Sequence, residues 1–456
     1  MSNSLTLQDM PDDILETIYR NLDMFETTYT NIALCKRIKT SKVTYIKSRK
    51  TFQLIPEYYH KYINVGTVNQ DELDTIYNRK NIYSLNISGY TNSIENLGDV
   101  IDLGILYNYT INEVNKHSIT KLVCQGTIVN DISKLVNLTE LTYRVSDGLT
   151  NINMFVNLVY LDCGCSTVTD INMLTKLEYL DCDTCNITNI SNLVNLTTLI
   201  CYRSGIFYVN HLTCLTNLNC NETIVDKIDR LVNLTKLECT NTLINNIPNF
   251  TNLTKLNCDK SLVIDIQALN LIKLSCVFTS IKSINHLINL LELVCDDSLI
   301  DNVDYLINLK VLKCNNTKIT RVNHLINLMI LDCSDTDIEE VDKLTKLKRL
   351  KCNNTKISNI DNSVDIIYLE CSRTLITNVD TLINMDYILC TQTNIKSLVN
   401  NTSLIKILHS NLDIDLPISS LGKWETINEV IYYHSLIVNQ PYLYRCWDLS
   451  SLEIET

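Results

Sequence analysis

Cysteine recurs along most of this 456-residue chain at a nearly constant interval. From the second cysteine of the series to the last, every step is 19 residues except for one step of 18. Between the first two, Tyr143 fills the same slot. A fixed period near twenty residues predicts a solenoid, because one such segment cannot bury its apolar residues alone whereas stacked segments can. The cysteines in this slot are Cys124, Cys163, Cys182, Cys201, Cys220, Cys239, Cys258, Cys276, Cys295, Cys314, Cys333, Cys352, Cys371 and Cys390.

The clearest repeat unit spans Leu309–Asn327 and reads LKVLKCNNTKITRVNHLIN. Alternation predicts a short strand in which Leu312 and Cys314 point inward while Val311 and Lys313 point outward. Nineteen residues leave no room for a full helix on the other side of the coil. We therefore expect extended or 3₁₀ segments there.

This repeat resembles the leucine-rich repeat, L-x-x-L-x-L-x-x-N-x-L, over roughly residues 82–415. Cys replaces the third consensus leucine, and Thr or Ser replaces the consensus asparagine, as Thr317 does. The resemblance implies an α/β-type solenoid, a horseshoe or arc with a parallel β-sheet on its concave face. Because a hydroxyl can donate and accept, we expect the Thr/Ser column to satisfy backbone groups where the chain leaves each strand.

The cysteines permit a second interpretation besides core packing. Cys163, Cys165, Cys182 and Cys185 bring four thiols onto two neighbouring coils, which suggests a metal site or disulfides. However, in-register parallel strands hold side chains side by side, which suits disulfide torsions poorly. Cys165 and Cys185 also lie at different offsets from the slot, so a four-ligand site is disfavoured. We expect core packing, with no metal and no cofactor.

Residues 5–50 lack the repeat and carry helix signals instead. Asp9 fits a helix cap and Pro11 fits a first helical turn. A second helical stretch is expected over Glu26–Arg37, and a third, shorter one around Val43–Ile46. The first helix carries one apolar stripe, formed by Ile14, Leu15, Ile18 and Leu22.

This helical segment resembles an F-box. The matching residues are Met10, Pro11, Asp12, Asp13, Ile14, Leu15, Ile18, Leu22, Leu34, Cys35, Lys36 and Arg37. Met10 stands where the family has leucine, and no tryptophan follows near the end. The resemblance implies that the segment docks on a Skp-type adaptor through Pro11, Ile14, Leu15, Ile18 and Leu22. The alternative is that the stripe packs on the first repeats as an N-terminal cap.

Two further segments flank the repeats. Residues 51–81 are rich in aromatic residues, so we interpret them as a packed linker or N-terminal cap. Residues 416–456 carry both tryptophans, Trp424 and Trp447, and are interpreted as a C-terminal cap. An open end of a solenoid exposes its core, which is why caps are expected.

The outward positions of the strands form the candidate binding face. Tyr and Arg are enriched at protein–protein hot spots, although a solvated face of mixed charge is the alternative. The first group of candidates is Tyr160, Asp162, Tyr179, Asp181, Tyr202 and Arg203. The second group is Lys313, Asp332, Arg349, Lys351, Tyr368, Glu370, Arg373 and Tyr387.

Charge and motif content argue against several classes of function. The net charge is −12, so we expect no nucleic-acid partner. No long apolar run or basic, apolar N-terminus is present, so we expect neither a membrane span nor a secretory signal. Phosphate-loop, zinc-protease and hydrolase motifs are absent, so we expect no enzyme activity.

The resemblance to F-box and leucine-rich-repeat proteins implies a substrate-recognition subunit of an SCF-type ubiquitin ligase. Its repeats would bind an unknown protein target. A stand-alone leucine-rich-repeat binding module is the alternative. The composition, the F-box and the short cysteine-bearing repeats together resemble proteins of giant DNA viruses such as the mimivirus group, which implies a cytoplasmic setting in the host cell.

Overall fold

The computed structural model describes residues 44–46, 62–65, 84–88, 100–106, 110–111, 118–129, 131–404, 406–408, 422–427 and 430–435. The chain divides into two compact units, Met1–Ile244 and Asn245–Thr456. The predicted first and second helices, and with them the adaptor-binding residues, lie outside the described residues.

The first unit is a stack of coils that each contribute one short strand to a parallel sheet. Every strand pairs in parallel with the next, except β5 and β7, which form a separate parallel pair. The strands are β1 Thr44–Ile46, β2 Tyr62–Val65, β3 Ser84–Ser88, β4 Asp102–Leu106, β5 Thr110–Ile111, β6 Lys121–Gln125, β7 Ile128–Val129, β8 Glu140–Arg144, β9 Tyr160–Asp162, β10 Tyr179–Asp181, β11 Thr198–Ile200, β12 Asn217–Asn219 and β13 Lys236–Glu238.

The second unit repeats this arrangement and ends in a hairpin. β15 and β17 to β24 pair in parallel, β14 pairs with β16, and β26 runs antiparallel to both β24 and β25. The strands are β14 Asn246–Ile247, β15 Lys255–Asn257, β16 Asp265–Ile266, β17 Lys273–Ser275, β18 Glu292–Val294, β19 Val311–Lys313, β20 Ile330–Asp332, β21 Arg349–Lys351, β22 Tyr368–Glu370, β23 Tyr387–Leu389, β24 Lys406–Leu408, β25 Gly422–Ile427 and β26 Val430–Ser435.

Parallel pairing in the first unit begins upstream of the recognisable repeats. Thr44–Ile46 is a strand that pairs with Tyr62–Val65, so the short third helix predicted around Val43–Ile46 is wrong. β-branched and aromatic residues dominate this stretch and favour a pleated strand. The ends assigned to the F-box-like segment (5–50) and to the linker (51–81) stay predictions.

The core of each unit is a set of stacked columns, one for each inward position of the coil. The slot cysteines and the leucines two residues before them are buried, as the alternation predicted. Val311 lies in the predicted outward row, but it is only 8% exposed. Its register partners are Glu292 and Ile330.

Each coil leaves its strand through a residue in the left-handed backbone region. This residue lies two positions after the slot; it is Gly126, with φ of 62°, in the coil of Cys124 and a residue other than glycine in the coils that follow. The φ angles lie between 50° and 57° at Val145, Cys165, Thr184, Arg203, Glu222, Asn241, Lys260, Phe278, Asp297, Asn316, Asp335, Asn354, Arg373 and Gln392. The turn carries the chain out of the sheet in the same way in every coil.

The next residue supplies the predicted hydroxyl. The Thr317 Oγ1 hydroxyl donates to the carbonyl of Cys314 at 2.7 Å, and Thr355 bonds Cys352 in the same way. These bonds confirm that the Thr/Ser column satisfies backbone carbonyls. They close within one coil rather than joining neighbouring coils.

The side of the coil opposite the strand is made of consecutive tight turns. In one coil Leu306 N–H donates to the Val303 carbonyl and Leu309 N–H donates to the Leu306 carbonyl, which is 3₁₀-type bonding. This confirms the prediction of extended or 3₁₀ segments there.

An asparagine ladder, which sequence reasoning missed, joins neighbouring coils on this side. Asn308 Nδ2 donates to the Ile288 carbonyl at 3.0 Å, and Asn327 Nδ2 donates to the Ile307 carbonyl at 3.2 Å. In the first unit, Asn195 Nδ2 donates to the Thr175 carbonyl at 2.8 Å. The ladder supplies partners for turn carbonyls that no neighbouring strand reaches.

Candidate functional site

In the first unit, two stacked tyrosines lie on the outward face of the sheet. Tyr160 and Tyr179 are register partners on β9 and β10, and their rings lie 4.4 Å apart at an interplanar angle of 11°. Parallel in-register pairing brings identical side chains side by side at about the strand spacing of 4.8 Å, which is close to a stacking distance. Asp162 and Asp181 follow two residues later on the same strands.

Arg144, at the end of β8, joins the carboxylates around this stack. Its Nη1 lies 3.0 Å from Asp162 Oδ1 and 3.2 Å from Asp181 Oδ2, and its Nη2 lies 2.8 Å from Asp183 Oδ2. Gly164 makes this reach possible, since a Cβ at this position would overlap Asp183 Oδ1 and Arg144 Nη1. We call this group the acidic tyrosine cluster: Arg144, Tyr160, Asp162, Tyr179, Asp181 and Asp183.

The charges in the acidic tyrosine cluster do not balance. Burial disfavours the charge on Arg144, but its carboxylate neighbours, Asp162 first, hold its pKa above the ordinary value. Burial, and then the charges of Asp162 and Asp183, raise the pKa of Asp181. One guanidinium faces three carboxylates, so the cluster presents excess negative charge beside two half-buried tyrosine rings.

Tyr202 and Arg203 form a separate contact. The Arg203 guanidinium lies 4.9 Å from the centre of the Tyr202 ring, and its Nε lies 2.6 Å from Glu222 Oε2. Tyr202 lies one coil from Asp183 in the same position, but within the described part of the first unit no ion pair or side-chain hydrogen bond joins Tyr202 and Arg203 to the acidic tyrosine cluster. The first predicted group is therefore split, with Tyr160, Asp162, Tyr179 and Asp181 brought together.

The second unit carries a matching tyrosine stack in cationic surroundings. Tyr368 and Tyr387 are register partners whose rings lie 4.4 Å apart at 8°. The Arg349 guanidinium lies 4.4 Å from the centre of the Tyr368 ring, and Lys406 Nζ lies 5.7 Å from that of Tyr387. These four residues occupy one register row across β21 to β24, so a cation stands at each end of the stacked rings.

Glu370 is held beside this stack by three donors. Lys351 Nζ lies 3.0 Å from its Oε1, the Tyr368 hydroxyl donates to Oε1, and Asn353 Nδ2 donates to Oε2 at 3.2 Å. Burial alone would raise the pKa of Glu370, but these hydrogen bonds and the Lys351 charge lower it. We call this group the basic tyrosine cluster: Arg349, Lys351, Tyr368, Glu370, Tyr387 and Lys406.

The remaining predicted residues of the second unit lie outside this cluster. Arg373 Nε donates to Gln392 Oε1 at 2.7 Å on the turn after β22. Lys313 is exposed on β19, and Asp332 is half-buried on β20. The structure thus brings together Arg349, Lys351, Tyr368, Glu370 and Tyr387 of the second group.

Sequence reasoning missed Arg144, Asp183 and Lys406. Arg144 and Asp183 occupy the position directly after the slot, which is the next outward position of the alternation. The sequence-based prediction of the binding face included this position for Tyr202 but not for the other coils. Lys406 lies in the same row as Tyr387, so the register alone could have found it.

The slot cysteines pack in the core as free thiols, as predicted. Burial raises the pKa of Cys124 and of Cys201 to about 12. Of the two further cysteines in the candidate four-thiol group, Cys165 is exposed and Cys185 is buried, and Cys185 Sγ donates to the Cys163 carbonyl at 2.8 Å. Among the described residues, no group of three or more His, Cys, Asp and Glu side chains is arranged to hold a metal ion.

The described residues contain no helix that is both long and apolar enough to cross a membrane. No family model matches the chain, and no curated protein matches its sequence. Its fold, in contrast, is found among solved structures.

Three solved structures show this likeness. YopM from Yersinia enterocolitica has a TM-score of 0.62 at 15% identity, over 89% of this chain and 97% of YopM. The functional domain of InlJ from Listeria monocytogenes, which includes a cysteine ladder, has a TM-score of 0.54 at 21% identity, over 73% of this chain and 85% of the domain. The leucine-rich-repeat ectodomain of the Arabidopsis thaliana receptor kinase GASSHO1/SCHENGEN3 has a TM-score of 0.53 at 13% identity, over 79% of this chain and 54% of that ectodomain. The chain therefore has the leucine-rich-repeat solenoid fold.

Proposed function

We propose that this chain is a protein-binding protein whose sheet faces hold a target protein. The observation that carries the proposal is that each unit has a stacked tyrosine pair with charged side chains gathered around it on the outward face of the sheet. Tyrosine and arginine dominate the energetics of protein interfaces. The plant ectodomain was solved in complex with CASPARIAN STRIP INTEGRITY FACTOR 2, so this fold supports binding in at least that case.

Within this function, we propose the role of substrate-recognition subunit of an SCF-type ubiquitin ligase. The support is the F-box resemblance of residues 5–50, with Pro11, Ile14, Leu15, Ile18 and Leu22 as the adaptor contact. The chain itself would carry no chemistry and would act in the cytoplasm, of an infected host cell if the viral resemblance holds. A stand-alone binding module, in which the N-terminal segment only caps the repeats, is the second candidate.

Adaptor binding separates these two candidates. Purified full-length chain is mixed with a Skp-type adaptor, and complex formation is followed by size-exclusion chromatography. We expect the wild type to bind and the double variant Ile14→Asp plus Leu15→Asp to lose binding, because charge replaces the apolar stripe. Absence of binding by the wild type, or retention by the double variant, would overturn the adaptor contact.

Target binding is tested independently of the adaptor. The full chain is used as bait in proximity labelling, and a matched bait carries Tyr160→Ala, Tyr179→Ala, Tyr368→Ala and Tyr387→Ala. We expect a reproducible set of proteins that the variant no longer labels. If both baits label the same proteins equally, the sheet faces do not hold the target.

A further inference from the structure

The basic tyrosine cluster differs from its acidic counterpart in the sign of its charge. Arg349, Lys351 and Lys406 surround the Tyr368–Tyr387 stack, and Glu370 lies among them, paired with Lys351. We propose that this cluster binds an acidic, extended segment of the target protein. The inference rests on the proposed protein-binding function and gives the chemistry of one partner surface.

The cluster already binds one carboxylate, which shows that its donors suit this group. Glu370 Oε1 accepts from the Tyr368 hydroxyl and lies 3.0 Å from Lys351 Nζ, while Oε2 accepts from Asn353. The Lys351 and Glu370 side chains are largely buried, at 25% and 13% exposed. Because they pair with each other, neither charge needs a partner from outside the chain. Arg349 has no carboxylate within ion-pairing distance in the described region of the second unit, and its guanidinium lies against the ring of Tyr368.

The register row from Arg349 to Lys406 sets the spacing expected between the acidic residues of the bound segment. Arg349 and Lys406 stand three strand spacings apart, which is roughly 14 Å at about 4.8 Å per strand. An extended peptide rises about 3.3 Å per residue, so side chains four residues apart span a similar distance. Because alternate residues of an extended chain share one face, the residue midway between the two acidic residues would face the tyrosine edges and the half-exposed Leu389.

The ring faces argue against a nucleic acid in this position. Proteins that bind single strands stack bases on open aromatic faces. Here the inner faces of Tyr368 and Tyr387 lie against each other, and cations lie against the outer faces. Glu370 and the half-buried Asp332 of β20 would also repel a continuous phosphate backbone.

Fluorescence anisotropy with the full chain tests the proposal. The probe is a labelled peptide built from the unit Glu-Ser-Leu-Ser-Glu, and the comparison probes carry Lys for Glu or place the two Glu residues three apart. A labelled single-stranded oligonucleotide of similar length is the third comparison. We expect the first peptide to bind most tightly and its affinity to fall as salt is added.

Two variants of opposite expected effect make the test specific. Arg349→Glu should weaken binding about tenfold or more, because an attraction becomes a repulsion. Glu370→Gln should strengthen binding, since it removes the resident carboxylate and leaves Lys351 unneutralised. Lys318→Glu changes the net charge as much as Arg349→Glu does, but on an exposed residue outside the cluster, and should leave binding unchanged.

Several results would overturn the inference. These are equal binding of the Glu and Lys peptides, tighter binding of the oligonucleotide, or weaker binding by Glu370→Gln. Circular dichroism of each variant establishes that it is folded. If proximity labelling recovers targets whose labelling is insensitive to Arg349→Glu, the protein-binding function stands and the acidic-segment inference fails. If no targets are recovered, the broader function fails.

Discussion

At the scale of single residues, the left-handed backbone conformation of the turn after each strand is the least favourable conformation in the coil. Residues other than glycine lose about 1–2 kcal/mol in this region, and asparagine is among the few that tolerate it. Asn241, Asn316 and Asn354 occupy the position in three coils, but Val145 occupies it in another. A β-branched valine with φ of 53° is the poorest fit of the set.

We therefore expect Val145→Asn to stabilise the protein by about 1 kcal/mol. Val145 is 57% exposed, so its loss removes little packing. Val232→Asn is the matched control, because Val232 is 56% exposed and is not among the positive-φ residues. Urea denaturation, monitored by circular dichroism, measures the free energy of unfolding of both variants. A gain for the control as large as that for Val145→Asn would show that the backbone conformation is not the cause.

At the scale of the coil, the hydroxyl after the turn closes the strand end. Thr317 is buried and its hydroxyl donates to the Cys314 carbonyl, so a valine in its place leaves that carbonyl without this donor. Val has nearly the same shape, so packing is retained. The cost is that of an unsatisfied buried acceptor.

Thr317→Val should accordingly lower the free energy of unfolding by about 1–2 kcal/mol. Thr320→Val, on an exposed residue of the same coil, should change it by less than about 0.5 kcal/mol. The two variants are compared by their urea midpoints, provided that the free energy of unfolding depends on urea concentration with the same slope in both. Equal midpoints for the two variants would show that the Thr317 hydroxyl does not stabilise the coil.

The coil also shows which parts of the structure a sequence can reveal. The inward columns could be predicted because the 19-residue period and the two-residue alternation of a strand act together on Leu312 and Cys314. The asparagine ladder was missed because Asn308 and its equivalents occur in turns, where asparagine is common for other reasons. β1 and β2 were missed because their strands lack the Leu-x-Cys signature, and backbone pairing rather than side-chain pattern defines them.

The candidate site was only partly predictable for a related reason. Tyr160 and Tyr179, like Tyr368 and Tyr387, share a row in sequence and so share a row in the sheet. The reach of Arg144 across one coil to Asp183 depends on a long side chain passing over Gly164. Periodicity specifies where a Cα lies, but not where a flexible side chain ends.

At the scale of the whole molecule, the cysteine columns link stability to alkaline pH. Burial raises the pKa of Cys124, Cys201 and Cys390 from 9.0 to about 12. Below pH 9 these thiols are neutral in both the folded and the unfolded chain. Between pH 9 and 12 only the unfolded chain loses their protons, so ionisation draws the equilibrium toward unfolding.

We expect the free energy of unfolding to fall steeply between pH 9 and pH 11 in the presence of a reductant. Each buried thiol contributes a slope of up to about 1.4 kcal/mol per pH unit. Cys201→Ala removes one such thiol, so its slope should be shallower than that of the wild type, although its stability at pH 7 is lower because of the cavity. If the free energy of unfolding fell with pH at the same slope in both proteins, Cys201 would not ionise on unfolding.

The sameness of the coils has an evolutionary consequence. Where neighbouring coils make the same backbone bonds, duplicating or deleting the DNA for one coil preserves the bonding of those that remain, so such an array can change length without being redesigned. The tyrosine stacks do not share this tolerance, because each needs two particular coils to be adjacent. Recombination within the gene would thus separate the tyrosine stacks, and with them the proposed binding surfaces, before it altered whether the protein folds.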